Sequence, residues 1–155
     1  MVHMAHIHEK VDYTVVAVIV YKNKVLLIHH KTYDRWLFVG GHVELDENPE
    51  QALFREIEEE CGLEVEVEAD KADYPAKERH KPLLTPSYLD VHPTSETHDH
   101  VNFIYFAKAK SDNVTLAENE HNDIRWFSEA ELDDPQYTLQ DDIKFYAREG
   151  LRRLK

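Results

Sequence analysis

Cysteine and basic side chains are scarce in this sequence, and both shortages narrow the classes of protein to consider. Cys61 is the only cysteine, which excludes an internal disulfide framework and a cysteine-based zinc site and fits a reducing cytoplasm. The chain has 18 lysines and arginines against 31 aspartates and glutamates, a net charge of -13. Because proteins hold nucleic-acid phosphates with lysine and arginine clusters, this balance argues against a nucleic-acid partner. A polyanionic ligand would need metal ions to mediate its binding.

Long apolar runs are also missing. Nothing in the sequence approaches the roughly 20 apolar residues that span a bilayer, so we expect no membrane segment. The N-terminus lacks the features of a secretory signal, so a cytoplasmic location is expected. Residues 1–10 are predicted to form a flexible arm and residues 11–155 a single domain. His3, His6 and His8 are interpreted as part of this arm or as a remnant of cloning, with transition-metal binding as the alternative.

Residue patterns predict a mixed α and β domain. Asn48, Pro49 and Gln51 have the form of a helix start, and Gly62 suits the end of that helix. The segment 72–100 holds four prolines and is interpreted mostly as loop. The predicted elements are a hairpin of Val11–Val20 and Val25–Ile28, a strand Trp36–Val39 entering a Gly40-Gly41 loop, a helix Pro49–Cys61, strands Leu63–Ala69, Tyr88–Val91, Val101–Ala107 and Ile124–Phe127, a short helix opened by a capping box at Ser128–Glu131, and a final helix with apolar positions from Leu139 to Leu154. This order predicts the α+β class.

The stretch GHVELDENPEQALFREIEEECGL, Gly41–Leu63, concentrates negative charge around one arginine, Arg55. Its carboxylates are Glu44, Asp46, Glu47, Glu50, Glu56, Glu58, Glu59 and Glu60. Repulsion between neighbouring carboxylates is unfavourable and has to be offset. A bound cation, a well-solvated surface and a basic partner protein are the three explanations that the residues leave open.

Helix geometry is compatible with the cation. At 3.6 residues per turn, Glu56, Glu59 and Glu60 fall within an arc of about 100°, beside the apolar side that Leu53 and Ile57 form. Grouped carboxylate oxygens suit a hard cation such as Mg²⁺ or Mn²⁺. Three glutamates alone are more often a solvated helix face, so this alternative stays open.

The same stretch resembles the Nudix box, Gly-x5-Glu-x7-Arg-Glu-U-x-Glu-Glu-x-Gly-U with U aliphatic, at every defined position from Gly41 to Leu63. The resemblance implies an α/β/α sandwich around a mixed central sheet. It also implies a hydrolase that depends on Mg²⁺, or alternatively Mn²⁺, and cleaves the pyrophosphate link of a nucleoside diphosphate joined to another group. A nucleoside triphosphate, a nucleotide sugar and ADP-ribose are all compatible small substrates, and a homodimer is left open.

The resemblance also assigns roles to residues. It implies that Glu56, Glu59 and Glu60 bind the metal and that Arg55 and Glu47 orient them. It further implies that the backbone of Gly40 and Gly41 lies near the phosphates, although Val39 precedes them where the family often has proline. For the general base, box residue Glu59 and downstream Glu118 and Glu120 are the candidates, with Glu120 preferred.

Two histidines are candidate substrate contacts. His29 ends the second predicted strand, where a substrate of this family usually approaches, and His100 enters the strand at Val101. A surface or structural role is the alternative for each. Two other function classes remain open at this stage: a catalytically silent nucleotide-binding module with the same fold, and an acidic interaction domain.

Overall fold

The computed structural model describes residues 9–155, so His3, His6, His8 and most of the predicted arm lie outside the described residues. The described part contains eight strands, two α-helices and one short 3₁₀ helix. The strands are β1 (Val11–Tyr21), β2 (Lys24–His30), β3 (Arg35–Leu37), β4 (Val39–His42), β5 (Val65–Glu68), β6 (Tyr88–Pro93), β7 (Asp99–Ala109) and β8 (His121–Ser128). The helices are α1 (Pro49–Glu60), the 3₁₀ helix (Ala130–Asp133) and α2 (Asp141–Arg153). Neither described α-helix is long and apolar enough to cross a membrane.

The strands form one mixed sheet. Its main path runs β3-β2-β1-β7-β5, while β4 pairs with β1, β6 with β7 and β8 with β2. The central strand β1 runs parallel to β7 and antiparallel to β2 and β4. The predicted hairpin is confirmed, since Val20 lies opposite Val25.

Two apolar layers cover the two faces of the sheet. Val15, Ala17 and Ile19 of β1 pack with the buried side of α1, and the alternating residues Val18 and Val20 pack with α2. Because successive side chains of a strand point to opposite faces, one alternating strand supplies both cores. The predicted α/β/α sandwich with a mixed central sheet is confirmed.

Helix α1 begins as its capping signals predict. The side chain of Asn48 accepts a hydrogen bond from the Gln51 amide at 3.0 Å, and the side chain of Gln51 accepts one from the Asn48 amide at 2.9 Å. Past the helix end, Gly62 has a φ of 65°, which glycine adopts without strain. The predicted helix boundaries are correct to within one residue.

The predicted strand Trp36–Val39 and the loop at Gly40-Gly41 are wrong. The structure divides this segment between β3, which pairs with β2, and β4, which pairs with β1 and contains both glycines. A Cβ on Gly40 would lie 2.2 Å from the carbonyl oxygen of Val15, and a Cβ on Gly41 would lie 2.2 Å from Oε1 of Glu56. The glycines therefore allow close approach of neighbours inside a strand, and a loop is not needed to explain them.

Three later elements extend beyond their predicted bounds. Strand β6 continues to Pro93, β7 starts at Asp99, and β8 starts at His121, three residues before the predicted Ile124. These ends are polar, so alternation of apolar residues did not reveal them, but each pairs with a neighbouring strand. The capping box at Ser128–Glu131 is confirmed by hydrogen bonds of 2.8 and 3.4 Å between the two residues, although the helix that it opens is 3₁₀.

Candidate active site

The acidic side of α1 lies against β4, and Glu60 is its most enclosed carboxylate. Glu60 is 4% exposed, and its Oε1 accepts a hydrogen bond from the Gly40 amide at 2.7 Å. Its Oε2 lies 2.5 Å from Nε2 of His121, which is 3% exposed. Burial raises the pKa of the Glu60 carboxyl above its usual range, although His121 and the Gly40 amide act in the opposite direction.

Glu56 is the second carboxylate that the fold partly encloses. The absence of a side chain at Gly41 makes room for it, and its Oε1 accepts a hydrogen bond from Nη1 of Arg55 at 2.8 Å. Burial raises the pKa of the Glu56 carboxyl to about 8, and the negative charge of Glu60 adds to the effect. Neighbouring carboxyl groups whose pKa values are both raised are typical of a site that binds a positive ligand.

Arg55 holds the surrounding groups in place. Its Nε and Nη2 donate to the two carboxylate oxygens of Glu47 at 3.0 and 2.6 Å, and Nη2 also donates to the carbonyl of His42 at 2.9 Å. The hydrogen bonds that it donates to Glu47 raise the pKa of the guanidinium further. Burial opposes ionisation of Glu47, but the bonds from Arg55 prevail and lower the pKa of that carboxyl. The predicted contact between Arg55 and Glu47 is present.

The three candidate bases lie in different surroundings. Glu59 is 58% exposed at its side chain and lies 3.2 Å from Nη1 of Arg55. Glu120 is similarly exposed, but an oxygen of Glu120, an oxygen of Glu60 and a nitrogen of His121 all lie within 4.8 Å of one another. The backbone carbonyl of Glu118 accepts a hydrogen bond from Nζ of Lys31. The structure thus brings Glu120 close to the buried carboxylate, and the identity of the base stays a prediction.

His121 was not singled out from the sequence. It directly follows Glu120 and begins β8, so a strand prediction extended three residues backwards would have placed it beside the site. Its Nδ1 is buried and has no hydrogen-bond partner among the described residues. The ring of His30 lies 5.6 Å away, and burial together with His121 lowers the pKa of His30. Two imidazoles therefore border the acidic group.

The two candidate substrate histidines lie on the other face of the sheet. His29 alternates with His30 along β2, and its ring meets Trp36 edge-on at a centroid distance of 5.2 Å. His100 is buried, with Nε2 lying 3.2 Å from Nε2 of His42. The structure does not bring either residue into contact with the carboxylates of α1, and their role as substrate contacts stays a prediction.

Comparison with known proteins gives consistent results. The NUDIX domain family model matches residues 12–148. A CTP pyrophosphohydrolase of Escherichia coli (strain K12) is 31% identical over 84 residues, which are 53% of this chain and 62% of that protein. An RNA pyrophosphohydrolase of Hahella chejuensis is 54% identical over 34 residues, 22% of this chain and 21% of that protein. The chain therefore spans less than two thirds of the curated relatives it matches.

Similarity to a solved structure extends over almost the whole chain. The crystal structure of a NUDIX-family hydrolase from Clostridium perfringens has a TM-score of 0.78 and 31% sequence identity, and the match covers 93% of this chain and 98% of that one. The box residues, the sandwich and the family match agree, and this chain belongs to the Nudix family.

Proposed function

We propose that this chain is a divalent-cation-dependent pyrophosphohydrolase that cleaves a nucleoside diphosphate linked to another moiety. The observation that carries the proposal is the enclosed pair Glu56 and Glu60 beside Gly40 and Gly41, with Glu120 next to Glu60. A solvated acidic face would not bury its carboxylates, and a basic partner protein would not reach a residue that is 4% exposed. A solvated surface and a basic partner protein are therefore poor explanations for Glu56 and Glu60.

The donor set fits Mg²⁺, with Mn²⁺ as an alternative. Carboxylate oxygens are the ligands that hard cations prefer, and Glu56, Glu59 and Glu60 are the proposed ligands. A carboxyl with a pKa of about 8 is largely protonated at neutral pH, and a nearby cation favours its ionised form. When bound, such a cation neutralises phosphate charge and makes hydroxide available from water near neutral pH.

The remaining residues position the reactants. Arg55 and Glu47 fix the carboxylates, and the β4 backbone at Gly40 and Gly41, which lies beside Glu60 and Glu56, is proposed to lie near the phosphates. Glu120 takes the proton of the attacking water, with Glu59 as the alternative base. The water oxygen bonds to one phosphorus in line with the bridging oxygen, and the bond to that oxygen breaks, releasing the other phosphate group.

The proposed substrate is a small nucleotide such as a nucleoside triphosphate, a nucleotide sugar or ADP-ribose. The net charge of -13 disfavours a long polyanion, so RNA is a less favoured substrate. Because two relatives are named CTP pyrophosphohydrolase and RNA pyrophosphohydrolase, CTP and RNA with a 5′-triphosphate have to be tested alongside these substrates. A substrate contact at His29, which lies beside Trp36 on the opposite face of the sheet, is not part of the proposed site and stays a prediction, as does a homodimer.

Product analysis tests the proposal. The purified chain is incubated with Mg²⁺ or Mn²⁺ and each nucleotide class, including CTP and 5′-triphosphate RNA, and products are separated by chromatography. We expect a nucleoside monophosphate from one class, and a rate at least about 100-fold lower for Glu60→Gln. Glu58→Gln is the matched control, because Glu58 is exposed on the same helix and is predicted to be dispensable.

Two results would contradict the proposal. Cations that stabilise the fold without any turnover would favour the silent binding module, since a ligand bound only by the native state raises the melting temperature. Cations with no effect on melting or turnover would point instead to an acidic interaction surface.

A further inference from the structure

A second group of potential metal ligands lies on the face of the sheet that α2 covers. It consists of Asp12 on β1, His98 directly before β7 and His100 on β7, and His42 on β4 lies beside it. Ligand atoms of Asp12, His98 and His100 all lie within 4.8 Å of one another. We propose that these three side chains bind one transition-metal ion of the Zn²⁺ class, at a site separate from the glutamates of α1.

The contact between His98 and Asp12 is close to what one ion requires. Nε2 of His98 lies 3.0 Å from Oδ2 of Asp12. Metal bonds of about 2.0–2.1 Å at tetrahedral angles place neighbouring ligands about 3.4 Å apart. A ligand atom of His100 lies within 4.8 Å of both groups, and Nε2 of the neighbouring His42 lies 3.2 Å from Nε2 of His100.

The orientation of His98 favours an ion between the groups. Its Nδ1 lies 3.1 Å from the carbonyl oxygen of Glu9, and because a carbonyl only accepts, Nδ1 carries the hydrogen. Nε2 is then the ring nitrogen that faces the carboxylate of Asp12, at 3.0 Å. Metal-binding histidines commonly donate their other ring hydrogen to a backbone carbonyl in this way.

The ligands are buried and held by paired strands. Asp12 is 3% exposed and His100 is 7% exposed. Asp12 lies opposite His100 in the β1–β7 ladder, and Thr14 lies opposite His42 in the β1–β4 ladder. Sites built on strands are held more precisely than sites built on loops.

The donor chemistry separates this site from the acidic site on α1. Two imidazole nitrogens with one carboxylate suit Zn²⁺ and similar ions, whereas an all-oxygen set suits Mg²⁺. The Cβ position of Gly41 faces Glu56, so the next residue, His42, directs its side chain to the opposite face of the sheet. The backbone carbonyl of His42 accepts a hydrogen bond from Arg55, so an ion here would anchor the strand that supports the acidic site.

Zinc binding by the full-length chain tests the inference. The background carries His3→Ala, His6→Ala and His8→Ala, so that the N-terminal histidines do not contribute. The protein is freed of metal and titrated with Zn²⁺ against a chromophoric chelator, with millimolar Mg²⁺ present to occupy the acidic site. We expect one equivalent to bind, and His98→Ala to weaken the binding by more than about 100-fold. His80→Ala, which removes an exposed histidine, should bind as the background does, as should Glu60→Gln.

A cobalt spectrum distinguishes loss of the metal site from misfolding of a variant. With Co²⁺ in place of Zn²⁺, we expect the visible absorption of a tetrahedral ion in the background and a sulfur-to-cobalt charge-transfer band in His98→Cys. A variant that merely unfolds would lose both signals and its circular dichroism. Binding of Zn²⁺ by His98→Ala as tight as by His80→Ala overturns the inference, as does failure of the background to bind. Loss in Glu60→Gln with retention in His98→Ala would place the ion among the glutamates and also overturn it.

Discussion

At the scale of single residues, glycine allows the acidic site to assemble at two adjacent positions of β4. A Cβ on Gly40 would collide with the backbone of β1, whereas a Cβ on Gly41 would meet the carboxylate of Glu56. A backbone neighbour cannot move away without breaking the ladder, but the end of a glutamate side chain can. Glycine is thus required for strand pairing at Gly40 and for the placement of Glu56 at Gly41.

Alanine at each glycine should separate these two effects. Gly40→Ala should lower the free energy of unfolding by about 1–3 kcal/mol or more, as overpacking does, measured by urea denaturation. Gly41→Ala should unfold nearly as the wild type does, because Glu56 can swing away, and should lose most of the melting-temperature increase that Mg²⁺ produces. Equal destabilisation by the two substitutions would contradict this assignment.

Predictability from sequence also differs between residues. The partners Arg55 and Glu47 could be predicted because the box motif specifies both, and Glu120 was preferred because it stands shortly before the predicted strand at Ile124. His121 was not singled out, because it reaches the site through the polar start of β8, which pairs with β2 and brings it opposite His30. Asp12 and His42 were also not singled out from the sequence, because they come close to each other and to His100 only through the β1–β4 and β1–β7 ladders.

At the scale of secondary-structure elements, those that local residues specify were predicted closely, whereas those that depend on strand pairing were not. Helix α1 was predicted closely because its capping box and its terminal glycine act within the element itself. The division of one predicted strand into β3 and β4 depends on which distant strands they pair with, namely β2 and β1. Val39 illustrates this, since it is fully buried opposite Ala17 in β4, which explains why a β-branched residue stands there.

The capping box gives a prediction at this scale. Asn48→Ala removes the acceptor for the Gln51 amide, so the free energy of unfolding should fall by about 1 kcal/mol, within the usual range of 0.5–2 kcal/mol for such caps. Denaturant unfolding measures the change. Asn113→Ala, at an exposed position outside helices and strands, should leave stability unchanged within error, and a comparable loss there would refute the cap as the cause.

At the scale of the whole molecule, the sheet separates the two proposed cation sites. Oxygen donors of α1 lie on one face, and the proposed imidazole site lies on the other. The excess of negative charge, -13 overall, also makes the stability of the chain depend on which cations are bound. Folding, cation binding and protonation of the carboxylates are therefore linked.

This linkage predicts a pH dependence. Without metal, the pKa of Glu56 is raised from 4.5 to about 8, so between those values the native state binds more protons than the unfolded state. Its contribution to stability is thus greatest below about pH 4.5 and is lost as the pH rises through 8. Because a cation binds the ionised form, the increase in melting temperature with Mg²⁺ should grow from about pH 6 to pH 9. Glu56→Gln should remove most of this growth, and a Mg²⁺ effect independent of pH would contradict the account.

The most direct test of the central claim, that the enclosed carboxylates of α1 bind the cation on which hydrolysis depends, is Mn²⁺ binding measured together with activation. Electron paramagnetic resonance reports free Mn²⁺ while turnover is followed in matching samples. The account predicts that half-saturation of binding and half-activation occur at the same Mn²⁺ concentration, and that Glu60→Gln weakens both whereas Glu58→Gln changes neither. Unchanged Mn²⁺ binding and turnover in Glu60→Gln would contradict it.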